Sequence, residues 1–203
     1  MRMLLMVLLV SCAGVAGIYR QTEGFTVLTT EAARRASVVR SPRALPDALL
    51  QGQDGRATTL LHSLQSDGRL AVVNFMYTRC FSVCLAMGAE LQQLQAAIER
   101  QGLQDTVRVL SISFDPADTP QQLARYARSM RADASVWRFA VAPQATQRQA
   151  LLEAFGIVVV PAPMGQFEHN AAYHVVSPDG RLLRIVDLAE TAAVLDYVSR
   201  RVP

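Results

Sequence analysis

The chain has 203 residues, of which 51% are hydrophobic and 18% are charged. This length accommodates one domain with a buried core and an N-terminal appendage, and the composition is not that of a protein embedded in a membrane throughout. The formal net charge is only +3 at pH 7, and no run of basic residues is longer than two. We therefore expect no nucleic-acid partner.

The N-terminus differs from the rest of the chain in composition. Residues 3–18 carry no charge and lie between Arg2 and Arg20, which predicts a membrane anchor or an export signal over residues 1–19. The residues up to Cys12 also look like the signal that precedes a lipidated cysteine, although only eleven residues precede it. We favour an uncleaved anchor over lipidation or cleavage. Each alternative places the body of the chain outside the cytoplasm.

Residues 20–45 have no sustained periodicity, which predicts a linker with one helical turn at residues 30–36. A domain is predicted from residue 46 to residue 203. It begins with a hairpin whose strands cover residues 48–51 and 57–61, around a turn that contains Asp54-Gly55. Residues 64–69 then lead into the next strand.

The next segment changes from a strand pattern to a helix pattern. Residues 71–77 form a short apolar run that predicts a buried parallel strand. Apolar residues then recur at helical spacing as far as Ile98, and Gly102 supplies a stop signal. Cys80 is therefore predicted in the turn between the strand and the helix, and Cys84 in the first helical turn.

This position makes the two cysteines reactive. The first turn of a helix leaves backbone N–H groups unpaired, and together with Arg79 they favour thiolate over thiol. If Cys80 already belongs to the helix, its four-residue offset from Cys84 places both sulfurs on one helix face. A disulfide fits that separation, and so does one soft metal ion held by both sulfurs.

The remaining elements alternate between strands and helices. Thr119, Pro120 and Gln122 have the spacing of a helix start with a capping box. Strands are predicted over residues 107–114, 136–141, 157–160, 173–177 and 181–187, and helices over residues 119–131, 146–155 and 190–201, with a loop at 162–172. This order predicts an α/β fold with a mixed sheet that is covered by helices on both faces.

Three motifs, FMYTRCFSVC, SISFDPADTP and FEHNAAYHVVSPDGRL, resemble in sequence and order those of the Sco/SenC family. These are thioredoxin-like proteins that deliver copper to the CuA site of cytochrome c oxidase. The resemblance covers residues 46–203. It implies a thioredoxin-like fold, copper (Cu(I) or Cu(II)) as the bound metal, and Cys80, Cys84 and His169 as its ligands. It also implies a location on the periplasmic side of the bacterial inner membrane.

Two residues depart from the family pattern, because Phe81 and Leu85 stand where a proline usually follows each cysteine. The ligands are unaffected, but the metal geometry and redox potential are left open. Other candidates have weaker support. Asp115 could face the cysteines and tune their ionisation or guide a partner, but Asp-Pro in a loop is most often turn chemistry. Arg79 is expected to support the thiolates or a partner contact, and Met164 could offer a thioether to Cu(I). Four further residues are given no role: Met76 and Met87 as core, His174 as packed, and His62 as exposed.

Two functions from different classes use the same cysteines. The first is a copper metallochaperone that loads the copper-bearing subunit of an oxidase and depends on a thiol reductant or another copper carrier. The second is a thiol–disulfide oxidoreductase that keeps the cysteines of an apo copper site reduced and leaves His169 without an essential part. A peroxiredoxin-type enzyme is disfavoured, because only one residue separates Thr78 from Cys80.

Overall fold

The structure is a computed structural model that describes residues 2–21, 29–80 and 83–201. The side chains of residues 83–86 and of several residues in the two N-terminal helices are outside this description. The chain divides into two compact units, Met1–Ser41 and Pro42–Pro203.

The first unit contains two helices, α1 Arg2–Gln21 and α2 Thr30–Arg40. The second is longer than the single turn predicted from the sequence. Its N-terminus is capped by the side chain of Thr29, and Glu31 pairs with Arg34 at 2.8 Å and with Arg35 at 2.9 Å. Caps and ion pairs at helical spacing stabilise this helix without an apolar period, and for that reason its sequence resembled a linker.

The N-terminal segment was predicted to be an anchor or a signal over residues 1–19. In the part of the chain that the structure describes, no helix combines the length and the apolar character needed to cross a bilayer. The anchor therefore stays a prediction, and so do the linker over residues 20–45 and the domain boundary at residue 46.

The second unit contains the strands and the remaining helices. The strands are β1 Arg43–Ala44, β2 Leu49–Gly52, β3 Ala57–Thr59, β4 Leu70–Met76, β5 Val107–Ser113, β6 Trp137–Val141, β7 Val159–Ala162, β8 Gln166–His169, β9 Tyr173–Val176 and β10 Arg181–Val186. The helices are α3 Leu60–Asp67, α4 Val83–Arg100, α5 Pro120–Ser129, α6 Ala145–Phe155 and α7 Thr191–Ser199.

Eight of these strands form one mixed sheet in the order β1-β10-β9-β4-β5-β6-β2-β3. Strands β4, β5 and β6 are parallel, and their neighbours pair antiparallel. Every residue of β5 is buried. Successive side chains of a strand point to opposite faces, so both faces of the sheet are covered at its centre. The predicted mixed α/β architecture is confirmed.

A line of buried polar side chains crosses the three parallel strands. The Ser111 hydroxyl on β5 donates to Asn74 Oδ1 on β4 at 2.7 Å. The indole N–H of Trp137 on β6 donates to the Ser111 hydroxyl at 2.9 Å. All three residues are at most 1% exposed, so these hydrogen bonds satisfy polar groups that water cannot reach.

The start of α5 agrees with its sequence pattern. The Thr119 hydroxyl accepts from the backbone N–H of Gln122, and the Gln122 side chain accepts from the backbone N–H of Thr119. Pro120 takes the first helical position, where its missing N–H has no consequence. The sequence therefore predicted this helix start correctly.

Two local predictions were wrong. Residues 60–67 form α3, capped by Thr59 and anchored by buried Leu60 and Leu64, although the hairpin strand was expected to continue to residue 61. Residues 162–172 were predicted as a loop, but β7 and β8 pair as a hairpin with Val159 opposite His169. The β8 sequence Gln-Phe-Glu-His has little strand propensity of its own, and its pairing with β7 decides the conformation.

Candidate metal centre

Cys80 lies at the carboxyl end of β4, where the strand gives way to a turn. Tyr77 just before the turn is 1% exposed, Cys80 is half-buried, and α4 begins only at Val83. The alternative in which Cys80 already belongs to the helix is therefore wrong, whereas its predicted place in the turn is confirmed. Cys80 is disulfide-bonded.

Cys84 belongs to the first turn of α4, as predicted. Its side chain lies outside the described part of the structure, and so do residues 81–82 and the side chain of Leu85. The predicted sulfur pair and the effect of the two missing prolines therefore stay predictions.

Asp118 holds the turn that carries Cys80. This residue is only 5% exposed. Its Oδ2 accepts from the Thr78 backbone N–H at 2.8 Å and from the Ser113 hydroxyl at 2.6 Å, while its Oδ1 accepts from the Thr78 hydroxyl at 2.5 Å. Hydrogen bonds to a buried carboxylate are strong, so they fix the backbone two residues before the cysteine. Asp118 was not predicted as a site residue, although its place shortly after a buried strand was an available signal.

Arg79 is ion-paired with Asp115, which follows β5. Arg79 Nη2 lies 2.7 Å from Asp115 Oδ2, and the Asp115 side chain is 2% exposed against 46% for Arg79. The hydrogen bond to Asp115 raises the pKa of Arg79 above its usual value, so the guanidinium stays charged beside Cys80. Asp115 also accepts from the Ala117 backbone N–H at 2.9 Å, which is the turn chemistry expected from the sequence.

His169 ends β8 and packs against the residues that flank the cysteine turn. Its ring centroid lies 4.9 Å from that of Phe114 and 6.3 Å from that of Tyr77. Tyr77 lies three residues before Cys80, and Phe114 directly precedes Asp115, the ion-pair partner of Arg79. The hairpin therefore brings His169 to the same edge of the sheet as Cys80.

The two ring nitrogens of His169 have different surroundings. Nδ1 lies 3.0 Å from the carbonyl oxygen of Asn170. A carbonyl oxygen only accepts, so Nδ1 carries the proton and Nε2 has a free lone pair. Nε2 is buried and has no hydrogen-bond partner among the described residues. Burial lowers the pKa of His169 below its usual value, which keeps the ring neutral, and the Asn170 bond offsets this only in part.

A buried imidazole nitrogen without a hydrogen bond is unfavourable unless something else occupies its lone pair. Metal-binding histidines commonly donate the second ring N–H to a backbone carbonyl, as Nδ1 does here towards Asn170. The donor chemistry of His169 therefore fits a metal ion at Nε2. Among the side chains that the structure describes, no three His, Cys, Asp or Glu residues form a metal-binding group, and Cys84 is not among those side chains.

Tyr77 links the cysteine turn to the histidine hairpin. Its hydroxyl lies 3.1 Å from both the backbone N–H and the carbonyl oxygen of Phe167, and 3.2 Å from Oε1 of Gln166. The rings of Tyr77, Phe114 and Phe167 also pack in edge-to-face or tilted arrangements, with centroids 5.3–5.7 Å apart. No local sequence pattern predicts this contact, because it joins residues 90 positions apart.

The remaining candidates are placed as follows. Met76 and Met87 are buried at 1% and 2% exposure, which confirms their expected place in the core. His174 on β9 is buried, with Nδ1 3.2 Å from the Val73 carbonyl oxygen, and His62 is exposed on α3, both as predicted. Met164 is 93% exposed at the tip of the β7–β8 hairpin, with a positive φ of 59°.

Residues 50–201 match the family model for SCO1/SenC. The chain belongs to the SCO1/SenC family. A curated relative, the SCO1 protein homolog of Bacillus subtilis, is 30% identical over 152 residues, covering 73% of this chain and 76% of that protein. The family match begins at β2 and includes every element described around Cys80 and His169.

Solved structures agree with this membership. BsSco, a member of the Sco family of cytochrome c oxidase assembly proteins in which a disulfide switch was identified, is 26% identical with a TM-score of 0.66. The match covers 79% of this chain and 94% of BsSco. Bradyrhizobium japonicum ScoI, solved with copper bound, is 25% identical with a TM-score of 0.62, over 77% of this chain and 99% of that one. The thioredoxin-like fold implied by the resemblance is confirmed.

Proposed function

We propose that this Sco family chain is a copper metallochaperone. It binds one copper ion through Cys80, Cys84 and His169, and delivers the ion to the CuA site during assembly of cytochrome c oxidase. The observation that carries the proposal is the buried Nε2 of His169, which has a free lone pair and no hydrogen-bond partner among the described residues. It belongs to a ring packed against the residues that flank the cysteine turn.

The donor set suits copper that is to be passed on. Thiolates select Cu(I), and an added neutral imidazole allows Cu(II) to bind as well. Three protein ligands leave the metal open to a ligand from the receiving subunit. Phe114 and Tyr77 keep one side of His169 apolar, whereas half-buried Cys80 is open to an approaching partner.

The disulfide at Cys80 represents an oxidised state that cannot bind copper through both sulfurs. We propose that Cys84 is its partner, since Cys12 carries a free thiol and the chain has three cysteines. Reduction adds two electrons and two protons and yields two thiols. A thiol reductant outside the cytoplasm supplies the electrons, and a copper carrier supplies the metal.

A second function is favoured by that same disulfide. A thiol–disulfide oxidoreductase would use Cys80 and Cys84 to reduce the cysteines of an apo copper site, while its own pair is oxidised. This function leaves the neutral imidazole of His169 and its buried Nε2 without a part to play, so we prefer the metallochaperone.

The proposed location follows from the proposed function. The CuA-bearing subunit faces the periplasm, and the uncharged residues 3–18 suit a tether on that side of the bacterial inner membrane. Expression of the chain with and without residues 1–19, followed by membrane fractionation, tests this tether. Recovery of both forms in the soluble fraction contradicts it.

Copper titration of the reduced 203-residue chain tests the metallochaperone. Wild type is compared with Cys80→Ser, Cys84→Ser and His169→Ala, and His62→Ala is the matched control because His62 is exposed on α3. In wild type and in the control, we expect one copper ion to bind per chain, whether Cu(I) or Cu(II) is titrated. Cu(II) binding is lost in all three site variants, and Cu(I) binding weakens most in the cysteine variants.

Disulfide reduction is measured in parallel on an oxidised two-cysteine peptide. Rapid reduction that is unchanged in His169→Ala, in a chain that binds no copper tightly, supports the oxidoreductase. Tight copper binding with slow reduction supports the metallochaperone.

A further inference from the structure

A cavity lies towards the amino ends of the parallel strands, away from Cys80. Its volume is about 760 Å³, and its lining includes residues of β2, β3, α3, β5 and β6, with Arg69, Arg108 and Arg138 at or next to the amino ends of β4, β5 and β6. Because β4, β5 and β6 are parallel, their amino ends lie at the edge away from the cysteine turn. Four arginines line this cavity, namely Arg56, Arg69, Arg108 and Arg138.

Arg108 is unusual among the four, because it is an arginine on a central strand and is only 2% exposed. Its Nη2 donates to the Ser63 carbonyl oxygen at 3.0 Å and to the Ser63 hydroxyl at 3.2 Å. Its Nη1 lies 3.4 Å from Asp67 Oδ2. The Nε–H is buried and has no hydrogen-bond partner among the described residues. A buried guanidinium with an unsatisfied donor is destabilising unless an acceptor is supplied.

The two carboxylates of the lining, Asp54 and Asp67, neutralise only part of the charge of the four arginines. Asp67 is engaged by Arg69 at 2.6 Å as well as by Arg108. Asp54 lies 3.9 Å from Arg56, at the limit of an ion pair between two exposed side chains. Burial lowers the pKa of Arg108, the charge of Asp67 offsets this in part, and the charges of Arg69 and Arg138 lower the pKa further. The arginines therefore repel one another across the cavity, and a bound anion would relieve that repulsion.

The rest of the lining is partly apolar and includes Leu50, Leu110 and Phe139. The volume falls within the range of pockets that hold small organic ligands. We propose that this cavity binds a small organic oxyanion, either a phosphate monoester or a carboxylate. The guanidinium groups of Arg108 and Arg138 bind its head group, and the apolar side chains contact its body. This proposal is independent of the copper site.

Isothermal titration of the 203-residue chain at low ionic strength tests the proposal with three probes that share one ring. Phenyl phosphate and benzoate carry the two candidate head groups, and benzyl alcohol carries no charge. We expect saturable 1:1 binding of at least one anion and none of the alcohol. The tighter of the two anions identifies the head group.

Variants connect the binding to the cavity. Arg138→Gln and Arg56→Gln change exposed side chains, so we expect both to fold, and Arg138→Gln should weaken anion binding at least tenfold. Arg125→Gln removes the same charge from the exposed surface of α5 and should leave binding unchanged. The proposal is overturned if neither anion saturates the protein, or if Arg125→Gln weakens binding as much as Arg138→Gln does.

Discussion

The hydroxyl of Tyr77, at the end of β4, lies 3.1 Å from both the backbone N–H and the carbonyl oxygen of Phe167 on β8. One side chain therefore joins the strand that leads to Cys80 and the strand that ends in His169. The relative position of Cys80 and His169, two of the three proposed copper ligands, depends on this link.

Tyr77→Phe removes the hydroxyl and keeps the ring. We expect the free energy of unfolding to fall by about 1–2 kcal/mol, since the half-buried backbone N–H and carbonyl of Phe167 lose their partner. We also expect Cu(II) affinity to fall by roughly tenfold, because the His169 hairpin is less well held. Urea unfolding and Cu(II) titration measure the two effects. Tyr197→Phe, on α7, is the control, and equal effects of both variants would contradict the proposed link.

Asp118→Asn tests the hydrogen bonds that hold the cysteine turn. Asparagine keeps one acceptor oxygen and loses the charge, so donors from Thr78 and Ser113 are left unsatisfied. We expect the free energy of unfolding to fall by about 2–3 kcal/mol, measured by urea unfolding. Asp105→Asn, which changes an exposed carboxylate, should change it by less than about 0.5 kcal/mol. If the free energy of unfolding falls no more in Asp118→Asn than in this control, Asp118 does not hold the cysteine turn.

Stability at low pH depends on Asp67. Burial acts to raise the pKa of its carboxyl, but the hydrogen bond from Arg69 and the charges of Arg108 and Arg69 hold the pKa below its usual 3.8. A lowered pKa in the folded state means that the unfolded chain binds the proton first as pH falls. The contribution of Asp67 is therefore fully present well above pH 3.8 and is lost as pH falls through the folded-state pKa.

Asp67→Asn should consequently destabilise the protein at pH 7 by about 3 kcal/mol, because Arg108 is left buried without its counter-charge. The difference between variant and wild type should shrink below about pH 4, where wild type becomes protonated as well. Urea unfolding at pH 7, 5, 4 and 3 measures the difference. A difference that stays constant across this series would show that the ion pair is not its cause.

Met164→Gly tests whether the exposed thioether takes part in copper binding. Glycine adopts the positive φ of 59° without strain but has a more flexible unfolded state, so we expect stability to change by less than about 1 kcal/mol. Met164 lies at the hairpin tip, five residues from His169 along an extended strand, so Cu(I) affinity should not change. A clear loss of Cu(I) affinity, measured by competition with a chromophoric chelator, would make Met164 a ligand.

The sequence predicted the sheet well because buried strands and helix caps are local signals. The apolar run that became β4 and the capping box of Thr119 were both recognisable within a few residues. The β7–β8 hairpin was not, because Gln166–His169 becomes a strand only through pairing with Val159–Ala162. The helix α3 was missed because its eight residues follow a hairpin strand without a break in composition.

The candidate copper ligands could be predicted from the sequence, but the residues that hold them in position could not. The cysteine spacing and the family motifs identified Cys80, Cys84 and His169 as candidate ligands. The contacts of Tyr77 with Phe167 and of Asp118 with Thr78 span 90 and 40 residues and have no local pattern. Contacts between distant parts of the chain that hold a site in place can be identified only from the folded structure.

The polar line from Asn74 through Ser111 to Trp137 also determines how the strands align. A slip of one residue between β4 and β5 would turn alternate side chains to the wrong face and separate Asn74 from Ser111. It would also displace Thr78 by about 3.3 Å from the carboxylate of Asp118, which follows the neighbouring strand. The buried hydrogen bonds between the strands thus set the strand register, and the register sets the position of the turn that carries Cys80. Substitutions at Ser111 should therefore displace the cysteine turn.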